Sequence, residues 1–137
     1  MSKIIYVPTD KKNPDNWRTS SKGHKYLRRE PYRVNEKFTD KQDQHLKSFA
    51  RVEPKSFFTI DDDEVKALIK SKIGKGRIER RHNKGGNISY REYITVDKEI
   101  GIAMNKEGTK MVRTKKFVIH YSKKGIHAYP CEEWKGK

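Results

Sequence analysis

One cysteine, Cys131, in 137 residues excludes an internal disulfide. It is also poorly placed as a nucleophile. Glu132 and Glu133 follow it, and nearby negative charge raises a thiol pKa rather than lowering it. No apolar run approaches the ~20 residues that cross a bilayer as a helix. No signal peptide is visible, because Met1-Ser-Lys-Ile-Ile-Tyr-Val-Pro8 is short and ends in proline. A basic amphipathic helix, which a membrane-surface role would need, is also missing. Metal-ligand spacings such as Cys-x-x-Cys or His-x-x-x-His are absent. Asp61, Asp62 and Asp63 suit a helix start better than a magnesium ion, and no second acidic cluster complements them. The glycines at 74, 76, 85 and 86 lack the Gly-Lys-Ser/Thr ending of a phosphate loop. Ser122 lies outside a Gly-x-Ser-x-Gly elbow. No metal and no cofactor is therefore expected.

Apolar residues are scarce too, at 32% against 37% charged, so part of the chain is expected to be extended or disordered. What dominates is positive charge. A formal net charge of +15 points to a polyanionic partner, nucleic acid before any membrane.

Three regions are expected: a basic arm over 1–38, a compact domain over 39–131 and a polar tail over 132–137. The arm has weak apolar periodicity. It either drapes over the domain or stays mobile, or else Lys22, Lys25, Arg28, Arg29 and Arg33 track a phosphate backbone while Tyr26 and Tyr32 stack on bases. A short helix or turn is expected over Thr39–Arg51, with Pro54 interrupting, and a short strand over Ser56–Ile60. Val65, Leu68, Ile69 and Ile73 then share one helical face, and Gly74 ends the helix. The rest reads as antiparallel strands over Arg77–His82, Ile88–Val96, Ile100–Met104, Met111–Ser122 and Ile126–Tyr129, with turns at Asn83–Gly86 and Asn105–Gly108. The expected fold is α+β: one helix on a four- to five-stranded antiparallel meander, with an extended basic N-terminal arm.

The last hairpin concentrates the chemistry. Between His120 and His127 lie a serine and two lysines. Alternation puts Phe117, Ile119 and Tyr121 on one face and Val118, His120 and Ser122 on the other. A two-residue loop at Lys124-Gly125 sets Ser122 opposite His127 and Tyr121 opposite Ala128. His120, Ser122, His127 and Tyr129 then share a polar face, and Ile126 and Ala128 join the apolar one. A three-residue loop would flip the second strand.

Two imidazoles beside lysines suit RNA cleavage. The RNA's own 2′-hydroxyl attacks the adjacent phosphorus, so the protein need only move two protons and stabilise phosphoryl charge. His127 is assigned as acid and His120 as base. Lys124 or Lys123 would stabilise the transition state, and Ser122 would bond a phosphate oxygen or orient His127. Arg77, Arg80 and Arg91 either clamp the backbone through their planar forks or form a solvated basic face. His24 and His82 read as surface residues. The competing reading is a non-catalytic nucleic-acid-binding or phage structural protein, in which the histidines are dispensable.

Ile119-His-Tyr-Ser-Lys-Lys-Gly-Ile-His127, followed by Pro130, resembles the C-terminal signature of the bacterial polymorphic toxin type 50 family. Lys41-Gln-Asp-Gln-His45, Ser56-Phe-Phe-Thr-Ile60, Ile73-Gly-Lys-Gly76, Gly85-Gly-Asn87, Asp97 and Ile100-Gly101 align in order with the family's upstream elements, so the resemblance covers roughly residues 40–130. The spacer between His45 and Phe57 is shorter than is usual. The resemblance implies a metal-independent ribonuclease toxin with the helix-plus-sheet fold of barnase, RelE-like toxins and RNase colicins. It implies action in the bacterial cytoplasm on tRNA, mRNA or other single-stranded RNA, neutralisation by an acidic immunity or antitoxin protein, and delivery by a phage or secretion system. A stand-alone, phage-encoded member is expected from the start at Met1 and the absence of a carrier domain. The resemblance also adds His45 as an acid or base folding back over the sheet, and Lys41 as a phosphate ligand.

Overall fold

The structure is a computed structural model that describes residues 3–47, 55–82, 84–105 and 107–132. The parts of the expected helix, loop, turns and tail at 48–54, 83, 106 and 133–137 lie outside the described residues. The fold is α+β, mostly antiparallel sheet with one main helix. Its central sheet has four strands: β6 (Arg77–His82), β7 (Ile88–Thr95), β10 (Lys116–Ser122) and β11 (Gly125–Pro130), in spatial order β11-β10-β7-β6. Helix α1 (Asp62–Lys72) begins after Asp61, whose side chain makes no capping bond. It ends at Gly74, which takes the left-handed φ of 83°. Val65, Ile69 and Ile73 join one buried cluster with Ile78, Ile94, Phe117, Ile119, Tyr121, Ile126 and Ala128. The alternating apolar face read from the sequence is therefore the core face of the sheet.

The expected single meander is corrected. β8 (Gly101–Met104) does not lie beside β7; it pairs with β5 (Phe57–Phe58) and β9 (Met111–Thr114) in a separate three-stranded sheet. The expected strand over Met111–Ser122 breaks between β9 and β10 for a local reason. The buried Thr114 hydroxyl accepts from the Lys116 N–H at 3.0 Å and donates to the Cys131 carbonyl at 2.9 Å, turning the chain from one sheet to the other.

Residues 3–33 also depart from a free arm. β1 (Ile4–Pro8) pairs with β4 (Arg29–Arg33), and β2 (Trp17–Thr19) pairs with β3 (Lys25–Leu27). Alternation along β1 sends Ile5 and Val7 into the core, where Val34 joins them. The segment drapes over the domain by paired strands. No helix among the described residues is long and apolar enough to cross a membrane.

A buried carboxylate ties the helix end to the sheet. Glu92, fully buried on β7, accepts from the Gly74 N–H at 2.9 Å, the Gly76 N–H at 2.6 Å and the Tyr121 hydroxyl at 2.5 Å. Burial, then the neighbouring carboxylate, pushes the Tyr121 phenol above its ordinary range.

Candidate active site

The hairpin turns one residue earlier than expected. Lys123-Lys124 form the loop, so Ser122 faces Gly125, Tyr121 faces Ile126 and His120 faces His127. The register moves by two residues, so every side chain keeps its face. The reason lies outside the hairpin. Gly125, at φ 138°, is pressed against the Lys37 carbonyl, and a Cβ there would sit 2.1 Å from that oxygen. Gly125 is therefore drawn into the strand. The Ile126 N–H donates to the Lys37 carbonyl at 2.8 Å, and the Thr39 N–H donates to the Ile126 carbonyl at 2.9 Å.

Gln42 continues this pairing with a side chain. On the 3₁₀ turn Asp40–His45, its buried amide donates to the Ala128 carbonyl at 2.9 Å and accepts from the Ala128 N–H at 2.6 Å. That clamp holds the turn against β11 and brings His45 over the polar face. The His45 and His127 rings lie 6.3 Å apart, inclined by 10°, and His45 is 5.0 Å from the Tyr129 ring. His120 and His127 are 4.6 Å apart. Tyr129 Oη lies 3.1 Å from His120 Nε2. His45 Nδ1 lies 2.7 Å from the Ser56 carbonyl, so it carries the proton and the neutral ring has its lone pair on Nε2.

Two cations complete the cluster. Arg91 is directly opposite His120 on β7. Its Nε is buried without a hydrogen-bond partner. Lys41, exposed on the 3₁₀ turn, is near enough for its charge to act on both His120 and His127. Burial chiefly, then the charges of His127, Arg91, Lys41 and His45, lowers the His120 pKa to about 3. Burial, followed by His45, Lys41 and Arg91, lowers that of His127 to about 4. Both imidazoles are neutral at pH 7 in the free protein. Burial raises the Tyr129 phenol, against an opposing pull from Arg91. His120, His127 and Tyr129 are thus uncharged proton carriers beside two fixed cations. A bound anion would reverse the local field and raise both histidine pKa values.

His45, His120, His127, Tyr129, Lys41 and Arg91 come together. The other sequence candidates stand apart. The Ser122 hydroxyl donates to the Gly125 carbonyl at 3.1 Å. Lys123 and Lys124 are exposed at the loop tip, Lys123 being three residues and so about 10 Å along the strand from His120. Arg77 is on the imidazole face one row away, whereas Arg80 projects from the opposite face beside Asp10. Sequence reasoning missed Gln42 as the clamp and Tyr93 and Arg81 as neighbours on the same face. Strand alternation through His120 and Arg91 marks the latter pair.

Among the described residues, no three His, Cys, Asp or Glu side chains form a group able to hold a metal ion. Chemically, the arrangement offers proton transfer by imidazoles and anion binding by Arg91 and Lys41. Neither a curated protein nor a solved structure matches this chain. A family match does exist, and it spans the 3₁₀ turn, the helix and the whole imidazole hairpin: by the match over residues 38–130, the chain belongs to the bacterial toxin 50 family.

Proposed function

We propose that this toxin-family protein is a metal-independent endoribonuclease. The observation that carries the reading is the convergence of three imidazoles with Arg91 and Lys41 on one face of a chain of net charge +15. RNA carries its own nucleophile, so two proton transfers and charge stabilisation suffice. An imidazole takes the proton of the 2′-hydroxyl as its oxygen bonds to phosphorus. A second gives a proton to the 5′-oxygen as the P–O5′ bond breaks. The products are a 2′,3′-cyclic phosphate and a free 5′-hydroxyl. His127, at the centre of the cluster, suits the acid once the phosphate has raised its pKa. His45 suits the base better than His120, because the Ser56 carbonyl fixes its tautomer with the lone pair on Nε2. His120, bonded to Tyr129, flanks the phosphate with Arg91.

The test is incubation of purified protein with total RNA in excess EDTA, beside His45→Ala, His120→Ala and His127→Ala proteins whose folding is verified by circular dichroism. Discrete fragments ending in 2′,3′-cyclic phosphate are expected from the wild type, with His127→Ala reduced by roughly 10²-fold or more. No cleavage by folded wild type across several RNA classes would overturn the reading and leave a nucleic-acid-binding protein on the same fold. In that case lysine and arginine substitutions would weaken binding and lower its salt slope, and the histidine changes would not.

A further inference from the structure

One row along the imidazole face lies a second arrangement. Arg77, Tyr93, Val118 and Tyr129 are cross-strand neighbours, next to the row of Glu79, Arg91, His120 and His127. The Arg77 guanidinium lies over the Tyr93 ring, 4.8 Å from its centroid. Glu79 pairs with Arg77, and with Arg81 at 3.0 Å. Arg81 in turn donates to the Tyr93 hydroxyl at 3.1 Å. Four side chains thus form a closed loop of contacts that fixes the stacked pair, while the Arg77 side chain remains 63% exposed. Beside the pair opens a cavity of about 450 Å³, bounded also by Thr95, Lys116 and Glu132.

We propose that the Arg77–Tyr93 pair is a base-stacking subsite for the nucleotide next to the phosphate at the imidazole cluster. The proposal rests on the RNA reading above and extends it to substrate recognition. A planar guanidinium and an aromatic ring are the two surfaces on which unpaired bases stack, and here they are already assembled, so little ordering is needed on binding. Successive same-face positions on a strand are about 7 Å apart. With neighbouring strands about 4.8 Å apart, Tyr93 on β7 is about 8 Å from His120 on β10, within one nucleotide's reach, and about 12 Å from His127 on β11. The cavity is of a size that holds small ligands. On its wall Lys116 and Glu132 pair with each other at 3.4 Å and Thr114 bonds the second carboxylate oxygen at 3.1 Å, so a base edge would meet Thr95 and an already paired donor and acceptor, and stacking supplies most of the binding.

A bracing role for β6 alone would predict no dependence on a base, and binding equilibria separate the two. The probes are the four nucleoside 5′-monophosphates and ribose 5-phosphate, titrated calorimetrically into wild type, Arg77→Lys and Tyr93→Leu. Arg77→Lys keeps the charge and loses the plane, and its exposed position spares the fold. Wild type is expected to bind at least one nucleotide roughly 10-fold or more tightly than ribose 5-phosphate. Each variant should bring that ratio towards one while its affinity for ribose 5-phosphate stays within about twofold. Equal wild-type affinity for nucleotide and sugar phosphate, or an unchanged ratio in Arg77→Lys, would overturn the proposal. Base-dependent binding without RNA cleavage would support the subsite and refute only the nuclease reading.

Discussion

Replacing Gln42 with alanine should loosen both the fold and the site, and the size of the effect follows from its bonds. The amide is fully buried and satisfies both backbone groups of Ala128. Its removal leaves a buried N–H and a buried carbonyl without partners, each costing about 1–3 kcal/mol. Partial access of water at the strand edge brings the sum to about 2–4 kcal/mol, a large share of a domain stability of about 5–15 kcal/mol. With a urea slope of about 1–3 kcal/mol per molar, the unfolding midpoint should fall by about 1–2 M. Gln42→Glu supplies the signature. Its carboxylate still accepts from the Ala128 N–H but faces the Ala128 carbonyl with no proton to donate. Its folded pKa should rise, so its penalty should shrink as the pH falls through that pKa, when the protonated group can donate. In Gln42→Ala, release of the 3₁₀ turn should also withdraw His45 and Lys41, and the His127 imidazole should titrate closer to its ordinary range by NMR. A Gln42→Ala protein within about 0.5 kcal/mol of wild type, or a Gln42→Glu penalty that does not change with pH, would refute the clamp.

Other outcomes follow from single contacts. The histidine pKa values of about 3 and about 4 in the folded protein lie below the unfolded value near 6.5. The unfolded chain therefore binds more protons between those limits, and stability should be full above pH 6.5 and fall progressively towards pH 4. Urea unfolding across that window should show a shallower pH slope for His120→Gln. Phosphate or a cleavage-resistant RNA should raise both imidazole pKa values, read by NMR titration; unchanged values would mean that no anion binds between Arg91 and Lys41. Glu92→Gln turns one acceptor oxygen into a donor facing a backbone N–H and should destabilise the fold by about 2–3 kcal/mol in chemical denaturation. Gly125→Ala places a methyl group 2.1 Å from the Lys37 carbonyl at a φ of 138°. It should lower the melting temperature more than Gly85→Ala, whose added methyl group would meet nothing within 4 Å.

The division of the hairpin into apolar and polar faces was legible because alternation depends only on parity. A two-residue error in the turn leaves Ile119, Tyr121, Ile126 and Ala128 inside and His120, His127 and Tyr129 outside. The turn itself was not legible, because what fixes Gly125 is a carbonyl contributed by Lys37, 88 positions away in sequence. The helix was legible from the spacing of Val65, Ile69 and Ile73, and its end from Gly74. The strand order was not, since a bend made by the Thr114 hydroxyl leaves no periodicity to read. His45 entered the site only through resemblance, because a side-chain amide rather than an alternating strand carries it there. The separation of Arg77 from Arg80 was available in principle: three positions apart on one strand, they cannot share a face. The pairing of β1 with β4 was masked because the partner strand, Arg29–Arg33, is charged at three of its five positions and shows no apolar alternation.

The seal on β11 also bears on how such a protein can be switched off. A β-strand with unpaired N–H and carbonyl groups invites another chain to add itself. Here those groups at Ile126 and Ala128 are already taken, by Lys37, Thr39 and the Gln42 amide. An incoming strand would have to evict the segment from Lys37 to Gln42, and the segment would carry Lys41 and His45 away with it. Competition for those few bonds would separate the three imidazoles while leaving the hairpin of His120 and His127 intact.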